Sequence, residues 1–402
     1  MSDLACTCDE PAVAAVPERQ LSAWPAVVSL SLGVFGLVTA EFLPASLLTR
    51  LAHDLGVSDG AAGQAVTATA LVAALAGPAV VIGTGRVDRR YVVWGLTLLL
   101  ILSNLMAAAA TSLPMLLLAR MVLGVALGGF WSLAAALALR LVPPALMPRA
   151  MAIIFTGVSL ATVCAAPLGA YLGEAWGWRA TFVLAAGLGA LALLVQAMTM
   201  PALPPMAAPS LSTMLVVLRR PNVRLGFLVV LLVVSGHFAG FTYIRPFLED
   251  VPRFSIESIS AVLLAFGVGG FFGNLVGGAL TERSARLAVA FAALLLGGAA
   301  LVLGAYGFFP PVSAVATALW GFGFGAFPVG IQTWTTRAAA DHAESAGALL
   351  LTTFQIGIAA GAVLGGLLVD GFGAPGAIFY CGGAVLLGGA AMLWLGRAPA
   401  TA

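Results

Sequence analysis

The first long apolar stretch reads Ala26-Val-Val-Ser-Leu-Ser-Leu-Gly-Val-Phe-Gly-Leu-Val-Thr-Ala-Glu41-Phe-Leu-Pro44 and carries a single carboxylate. A run of this length crosses the hydrocarbon core of a bilayer as a helix. A charge at that depth costs about 3 kcal/mol on insertion scales, and such residues generally serve transport or proton binding. We therefore predict that Glu41 takes up and releases protons. The alternative is a carboxylate that permanently caps or pins a neighbouring helix.

The composition extends this interpretation to the whole chain. The 402 residues are 61% hydrophobic and only 8% charged, whereas soluble proteins carry about 25% charged residues. Apolar runs of about 20 residues recur, and the short alternating segments of a membrane β-barrel are absent. The sequence therefore predicts an all-α membrane protein.

Breaks at charges, glycines and prolines divide the chain into about twelve spans. The expected spans lie near 26–48, 62–84, 91–111, 114–138, 150–172, 179–199, 224–247, 258–280, 286–306, 311–334, 345–368 and 375–396. We expect two six-helix halves, 25–199 and 224–396, joined by a proline-rich linker at 200–223 and flanked by tails at 1–24 and 397–402. Similarities in sequence pattern between the two halves predict that they are parallel structural repeats around a site near the middle of the membrane.

The arginines predict the orientation, since every basic residue is an arginine. With the N-terminus inside, the inside loops and tails hold Arg19, Arg86, Arg89, Arg90, Arg140, Arg149, Arg219, Arg220, Arg224, Arg283, Arg286, Arg337 and Arg397. The outside loops hold only Arg50, Arg179 and Arg253. The positive-inside rule therefore places both termini in the cytoplasm.

Two further residues join Glu41 as candidates for proton coupling. Arg245 has a similar depth in the seventh span, and we predict that it pairs with ionised Glu41 to close an outer gate. The alternative is an arginine at the membrane boundary. His237, near the middle of the same span, is a satisfied core residue, a donor to substrate or a titrating group.

Arg120 lies within the fourth span, where an arginine needs backbone carbonyls or polar side chains as partners. It is either a structural clamp or part of a proton relay. The residues predicted to contact substrate are uncharged polar and aromatic side chains within the spans: Asn104, Trp131, Ser132, Tyr243, Asn274, Trp334 and Gln355. Amides can read the edge of a heterocyclic base, and tryptophan can stack on its face.

The sequence lacks the spacing of a phosphate-binding loop or of a metal site. Cys6 and Cys8 have no histidine or further cysteine nearby. We therefore expect no cofactor, no metal and no catalytic residue. The expected partners are a small-molecule substrate, protons and the lipid bilayer, without nucleic acid, and the expected state is a monomer.

Several stretches resemble one family of transporters. They are Glu41-Phe-Leu-Pro-Ala-Ser-Leu-Leu48, Asp88-Arg-Arg-Tyr-Val-Val93, Arg120-Met-Val-Leu-Gly124, Leu127-Gly-Gly-Phe-Trp131, Arg140-Leu-Val-Pro-Pro144, Phe241-Thr-Tyr-Ile-Arg-Pro246 and Pro328-Val-Gly330. With the twelve-span layout, they resemble the major facilitator superfamily in its proton-coupled drug and metabolite efflux branch.

The resemblance implies a pseudo-symmetric twelve-helix transporter of the bacterial inner membrane rather than an enzyme. Within the branch, the chain is most similar to exporters of purine ribonucleosides such as inosine and guanosine, which work by alternating access in exchange for protons. Multidrug and arabinose or sugar exporters are the alternative. By position, Asp88, Arg89 and Arg90 correspond to the inner-loop gating motif and Arg120 to the fourth-helix motif.

Overall fold

The computed structural model describes residues 23–84, 86–143, 146–204 and 211–396. Cys6, Cys8, Arg19, Arg397 and almost all of the two predicted tails lie outside these ranges. The helices are α1 (Trp24–Leu55), α2 (Asp59–Gly83), α3 (Arg89–Ala108), α4 (Leu113–Leu141), α5 (Met147–Ala175), α6 (Trp178–Thr199), α7 (Leu211–Leu218), α8 (Pro221–Thr242), α9 (Ile244–Asp250), α10 (Ile256–Arg283), α11 (Ala285–Tyr306), α12 (Pro310–Ala338), α13 (Ala343–Phe372) and α14 (Ala374–Leu395). Twelve of them are long and apolar enough to cross a membrane, which confirms the predicted fold class.

The seventh span differs from its prediction as one helix over 224–247. Helix α8 begins earlier, at Pro221, because the first turn of a helix tolerates a residue without an N–H. It stops at Thr242, and the short helix α9 follows after Tyr243. Pro246 explains the break, since it cannot donate to the Thr242 carbonyl and its ring would clash with it.

Glycines allow the long helices to pack at very short range. A Cβ atom at Gly273 of α10 would lie 1.9 Å from the carbonyl oxygen of Phe322 in α12. A Cβ atom at Gly325 of α12 would lie 1.9 Å from the carbonyl oxygen of Gly270. Backbone therefore touches backbone along this pair, as in small-residue packing between membrane helices.

The two ends of the molecule differ. We call the end at which α1, α5 and α13 finish the closed end, and the opposite end, which carries Arg86, Arg140, Arg220 and Arg337, the arginine-rich end. Within the described ranges, every hydrogen bond and ion pair that joins 23–204 to 211–396 lies at the closed end.

Towards the arginine-rich end the two sets of helices separate. Near mid-membrane, a Cβ atom at Gly267 of α10 would lie 2.6 Å from the Cα atom of Val163 in α5. Two turns further towards the arginine-rich end, Phe155 of α5 and Asn274 of α10 share these faces by helical period and are exposed. A cleft between α5 and α10 therefore opens at the arginine-rich end.

Candidate functional site

The first feature of the site is a buried arginine without hydrogen bonds. The side chain of Arg120 in α4 is fully buried, and none of its three nitrogen atoms has a hydrogen-bond partner in the structure. Glu41 of α1 is the group whose charge acts on it, although the two make no ion pair within 4.0 Å. The backbone and polar partners expected for Arg120 are therefore not found among the described residues, and Glu41 supplies the counter-charge.

Close packing of α4 on α2 explains why Arg120 is sealed from water. A Cβ atom at Gly124, one turn along α4, would lie 2.5 Å from the carbonyl oxygen of Thr69 in α2. Unpartnered charge in such a dry environment interacts strongly with any nearby opposite charge. Arg120 is therefore held in a dry environment in which the charge of Glu41 acts on it.

The predicted pair between Glu41 and Arg245 is wrong. Arg245 donates from Nε to Glu249 Oε1 at 2.7 Å and from Nη1 to the carbonyl oxygen of Ser46 at 2.7 Å. Its Nη2 atom lies 3.7 Å from Glu174 Oε2. The break after Thr242 is the reason, because it places Arg245 on α9, where Glu249 follows one turn later.

These contacts form part of a larger ionic connection, which we call the ion latch: Arg50, Glu174, Arg245 and Glu249. Glu174 of α5 also pairs with Arg50 of α1, and Glu249 accepts a hydrogen bond from Thr49 Oγ1 at 3.2 Å. The buried Arg245 thus ties α9 to α1 and α5. The ion latch holds the two sets of helices together at the closed end.

A second connection lies beside the ion latch. Asp370 of α13 accepts hydrogen bonds from Ser58 Oγ at 2.9 Å and from the backbone N–H of Gly60 at 3.1 Å, at the start of α2. A carboxylate is favourable at a helix N-terminus because of the free N–H groups there. Tyr243, predicted to contact substrate, is instead buried at this end, with its hydroxyl oxygen 2.9 Å from the carbonyl oxygen of Ala362 and 3.3 Å from that of Gly60.

The residues of the predicted inner gate bind the start of the linker. Asp88 Oδ1 accepts from the backbone N–H of Arg90 at 2.8 Å and of Leu203 at 3.0 Å. The Arg89 N–H donates to the carbonyl oxygen of Leu203 at 2.8 Å, and the Arg89 side chain donates to Thr84 Oγ1 at 2.8 Å. The Arg90 guanidinium stacks over Tyr91 and Trp94. All these contacts lie within 23–204, so the gating role remains a prediction.

His237 lies in an aromatic cluster. It is fully buried in α8, and its Nδ1 atom accepts a hydrogen bond from Trp320 Nε1 at 2.9 Å. Because an indole N–H can only donate, Nδ1 carries no proton in this arrangement, and the ring is the neutral Nε2–H tautomer. Nε2 has no partner in the described structure. Because Nε2 already carries a proton in this tautomer, a second proton could add only at Nδ1 and would break the hydrogen bond from Trp320.

The comparisons with known proteins fit this geometry. The family model described as Major Facilitator Superfamily matches residues 30–360 and 254–402. The chain belongs to the Major Facilitator Superfamily. It is 42% identical over 364 residues to the purine ribonucleoside efflux pump NepI of Salmonella paratyphi B, which covers 90% of this chain and 92% of that protein. The pump of the same name from Escherichia coli O6:H1 is 41% identical over the same shares.

Two solved structures share the superfamily fold. The human organic anion transporter MFSD10 (TETRAN) aligns with a TM-score of 0.67 and 19% identity, covering 94% of this chain and all of that one. A bacterial homolog to the human lysosomal transporter Spinster, in an inward-facing and unoccupied conformation, aligns with a TM-score of 0.71 and 16% identity, covering 93% and 95%. The family and the named relatives, rather than these two structures, make the protein a multi-pass membrane transporter of small molecules.

The structure does not bring the predicted substrate residues into one site. Asn104 is buried in α3, where its Nδ2 atom donates to the carbonyl oxygen of Leu100, and α3 packs on α4 and α6. Trp334 is equally buried and donates to the carbonyl oxygen of Asn222 at 3.0 Å. Asn104 thus bonds within its own helix and Trp334 bonds α12 to α8, and their roles in substrate contact stay predictions.

The remaining candidates are closer to the cleft. Asn274 is exposed on the cleft face of α10. Trp131 is half-buried in α4 against Phe155, with ring centroids 5.8 Å apart, and Ser132 Oγ donates to its own helix at Gly128. Gln355 of α13 is buried with its Oε1 atom unpartnered. Their roles in substrate binding remain proposals.

Several residues of the site were not predicted from the sequence. Glu249 was detectable, since it follows Arg245 at the helical spacing that favours an ion pair. Glu174 and Asp370 gave no comparable signal, because their partners lie on distant parts of the chain.

Proposed function

We propose that this chain is a proton-coupled exporter of purine ribonucleosides such as inosine and guanosine, working by alternating access. The names of relatives at about 42% identity over 90% of the chain support the substrate class. We further propose that it acts as a monomer in the bacterial inner membrane, with both termini in the cytoplasm, so that the arginine-rich end faces the cytoplasm. The structure then corresponds to the inward-open state.

The observation that carries the proposal is the relation between Glu41 and Arg120. Arg120 is a buried cation without a hydrogen bond, and Glu41 is the carboxylate that acts on it. Ionised Glu41 balances this charge, whereas protonated Glu41 leaves it unbalanced. Proton uptake at Glu41 therefore changes the energy of the helix packing around α1 and α4, which is the coupling that an antiporter requires.

The transport cycle follows from this relation. Glu41 binds a proton from the outside when the closed end is open, and substrate leaves. The helices of 25–199 and 224–396 then rock, the ion latch forms, and the cleft opens to the cytoplasm. Glu41 releases its proton there, and the nucleoside binds before the return step. Asp88, Arg89 and Arg90 regulate the closure of the arginine-rich end in the reverse movement.

Inside-out vesicles that contain the protein test the proposal. An acid lumen mimics the outside of the cell, and uptake of labelled inosine is then followed with and without a protonophore. The proposal predicts accumulation that collapses with the protonophore, and competition by guanosine but not by arabinose or a cationic dye. Uptake that ignores the proton gradient would contradict the coupling, and a gradient-driven uptake of arabinose or dye without inosine would contradict the substrate class.

A further inference from the structure

An aromatic cluster formed by α8, α10 and α12 contacts the residue next to Glu41. The ring of Phe324 in α12 lies parallel to His237, with centroids 3.5 Å apart and an interplanar angle of 5°. Phe241 stacks near the other side of His237 at 5.4 Å and also meets Phe42, the neighbour of Glu41, at 5.7 Å. The cluster therefore connects α12 with the first helix.

Glycine contacts fix the direction in which Phe324 points. Gly321 and Gly325 press α12 against α10, and Gly323 presses it against Ala292 of α11. Phe324 lies between these faces and packs on His237 of α8. Its side chain therefore points away from α11 and towards the middle of the molecule.

Phe324 is more exposed than the other residues of the cluster. His237, Phe241, Phe266 and Trp320 are all buried, with no more than 3% of any side chain exposed. Phe324 is only half-buried. Because His237 covers one face of the Phe324 ring, only the other face can take a further planar partner, and we call it the free face.

We propose that the free face of Phe324 is the surface on which the planar base of the transported nucleoside stacks. The inference rests on the proposed function and adds to it the place where the base is recognised. Every base has a π-face, so one aromatic stack favours nucleosides of different bases and rejects free sugars. The subsite is therefore specific for a heterocyclic ring and tolerant of its substituents.

His237 and Trp320 are positioning residues in this subsite. The hydrogen bond from Trp320 fixes the plane of the imidazole ring. Stacking on this ring keeps the Phe324 ring parallel to it. Loss of the hydrogen bond should loosen the platform without removing it.

The test measures the KM of inosine exchange in proteoliposomes without a proton gradient. Phe324→Leu should raise the KM about tenfold, the size of effect expected for one base–aromatic stack, with little change in the maximal rate. Phe324→Tyr should retain the wild-type KM. Phe322→Leu is the matched control, because Phe322 lies on the opposite side of α12 by helical period, and should change nothing. Trp320→Phe should raise the KM less and leave the pH profile unchanged.

The outcomes separate this inference from the function it rests on. Wild-type protein that exchanges no nucleoside would overturn both. Wild-type exchange with an unchanged KM in Phe324→Leu would overturn the platform alone.

A second measurement tests the proposal if Phe324→Leu does not fold. In a background without the native cysteines, Phe324→Cys is labelled with a maleimide in the presence of ribose or of inosine, each at a concentration well above the raised KM expected when the Phe324 ring is lost. The platform predicts protection of at least about fivefold by inosine and none by ribose, and equal labelling in both would overturn it.

Discussion

At the scale of single residues, the proposed mechanism depends on one buried cation, Arg120, and one carboxylate, Glu41. Arg120 makes no hydrogen bond in the described structure, so its charge is compensated over distance by Glu41 rather than by a fixed ion pair. A fixed pair would hold the carboxylate ionised throughout the cycle. A looser relation leaves Glu41 able to exchange its proton while still sensing the charge on α4.

Substitution of Arg120 tests this relation. Arg120→Gln removes the counter-charge and is expected to reduce gradient-driven inosine uptake at least about tenfold, since an uncompensated carboxylate in the membrane costs several kcal/mol. Arg120→Lys keeps the charge and should retain measurable uptake. Equal activity in both variants and the wild type, measured at equal protein content in inside-out vesicles, would show that Arg120 is only structural.

Asp341 provides a contrasting carboxylate outside the membrane spans. Hydrogen bonds from Arg220 at 2.6 and 2.5 Å hold the pKa of its carboxyl group at about 2, below the ordinary value of 3.8. The lowered pKa means that the contact contributes stability above about pH 4 and loses it as the pH falls towards 2. Asp341→Asn should therefore leave the shape of the uptake profile between about pH 5 and 8 unchanged. A shift of that profile would identify Asp341 as a sensor of pH.

At the scale of helices, the break between α8 and α9 organises the closed end. It turns Arg245 towards Ser46 and Glu174 of the other set of helices, and it places Tyr243 against the start of α2. If the seventh helix were continuous, Tyr243 and Arg245 would follow the direction of α8 and would not reach these partners. The break therefore converts a membrane helix into the anchor of the ion latch.

Neutralising Glu249 tests the ion latch. Arg245 is 2% exposed, and Glu249→Gln removes the charge of its nearest partner, which should favour opening of the closed end. A cysteine placed at Ala62, which is fully buried near the start of α2, should then react with an external maleimide several-fold faster than in the wild-type background. Asp250→Asn is the matched control, since Asp250 is the exposed neighbour on the same helix. Similar reaction rates in the two variants would contradict the latch.

The packing of α10 on α12 has its own test. Gly273→Ala would bring a Cβ atom 1.9 Å from the Phe322 carbonyl oxygen, whereas a Cβ atom at Gly278 of the same helix meets nothing within 4 Å. Gly273→Ala should therefore destabilise the protein by about 1–3 kcal/mol, the usual cost of overpacking. Gly278→Ala should be neutral or slightly stabilising. Thermal unfolding in detergent distinguishes the two, and equal melting temperatures would show that α12 moves aside freely.

At the scale of the whole molecule, the sequence predicted what depends on local pattern. Apolar run length predicted the twelve spans, because a bilayer sets the length of every helix that crosses it. The superfamily followed from motifs such as Asp88-Arg-Arg90, which have fixed positions along the chain.

Pairing between distant residues was harder to predict. Glu41 and Arg245 have similar depth in their spans, but depth alone does not say which side chains meet. The helix break after Thr242 turns Arg245 towards Glu249. The arginine whose charge acts on Glu41 is instead Arg120. The substrate contact predicted for Trp334 stays a prediction, since a tryptophan in a membrane helix serves packing as readily as binding.

The central claim is that Glu41 carries the coupled proton, and Glu41→Gln in inside-out vesicles tests it most directly. Glutamine keeps the shape of the protonated side chain and cannot release a proton. The variant should exchange inosine across the membrane without a gradient, yet lose protonophore-sensitive accumulation under an acid lumen. Glu257→Gln, which alters an exposed carboxylate at the start of α10, should retain both. Accumulation by Glu41→Gln at the wild-type rate would contradict the account.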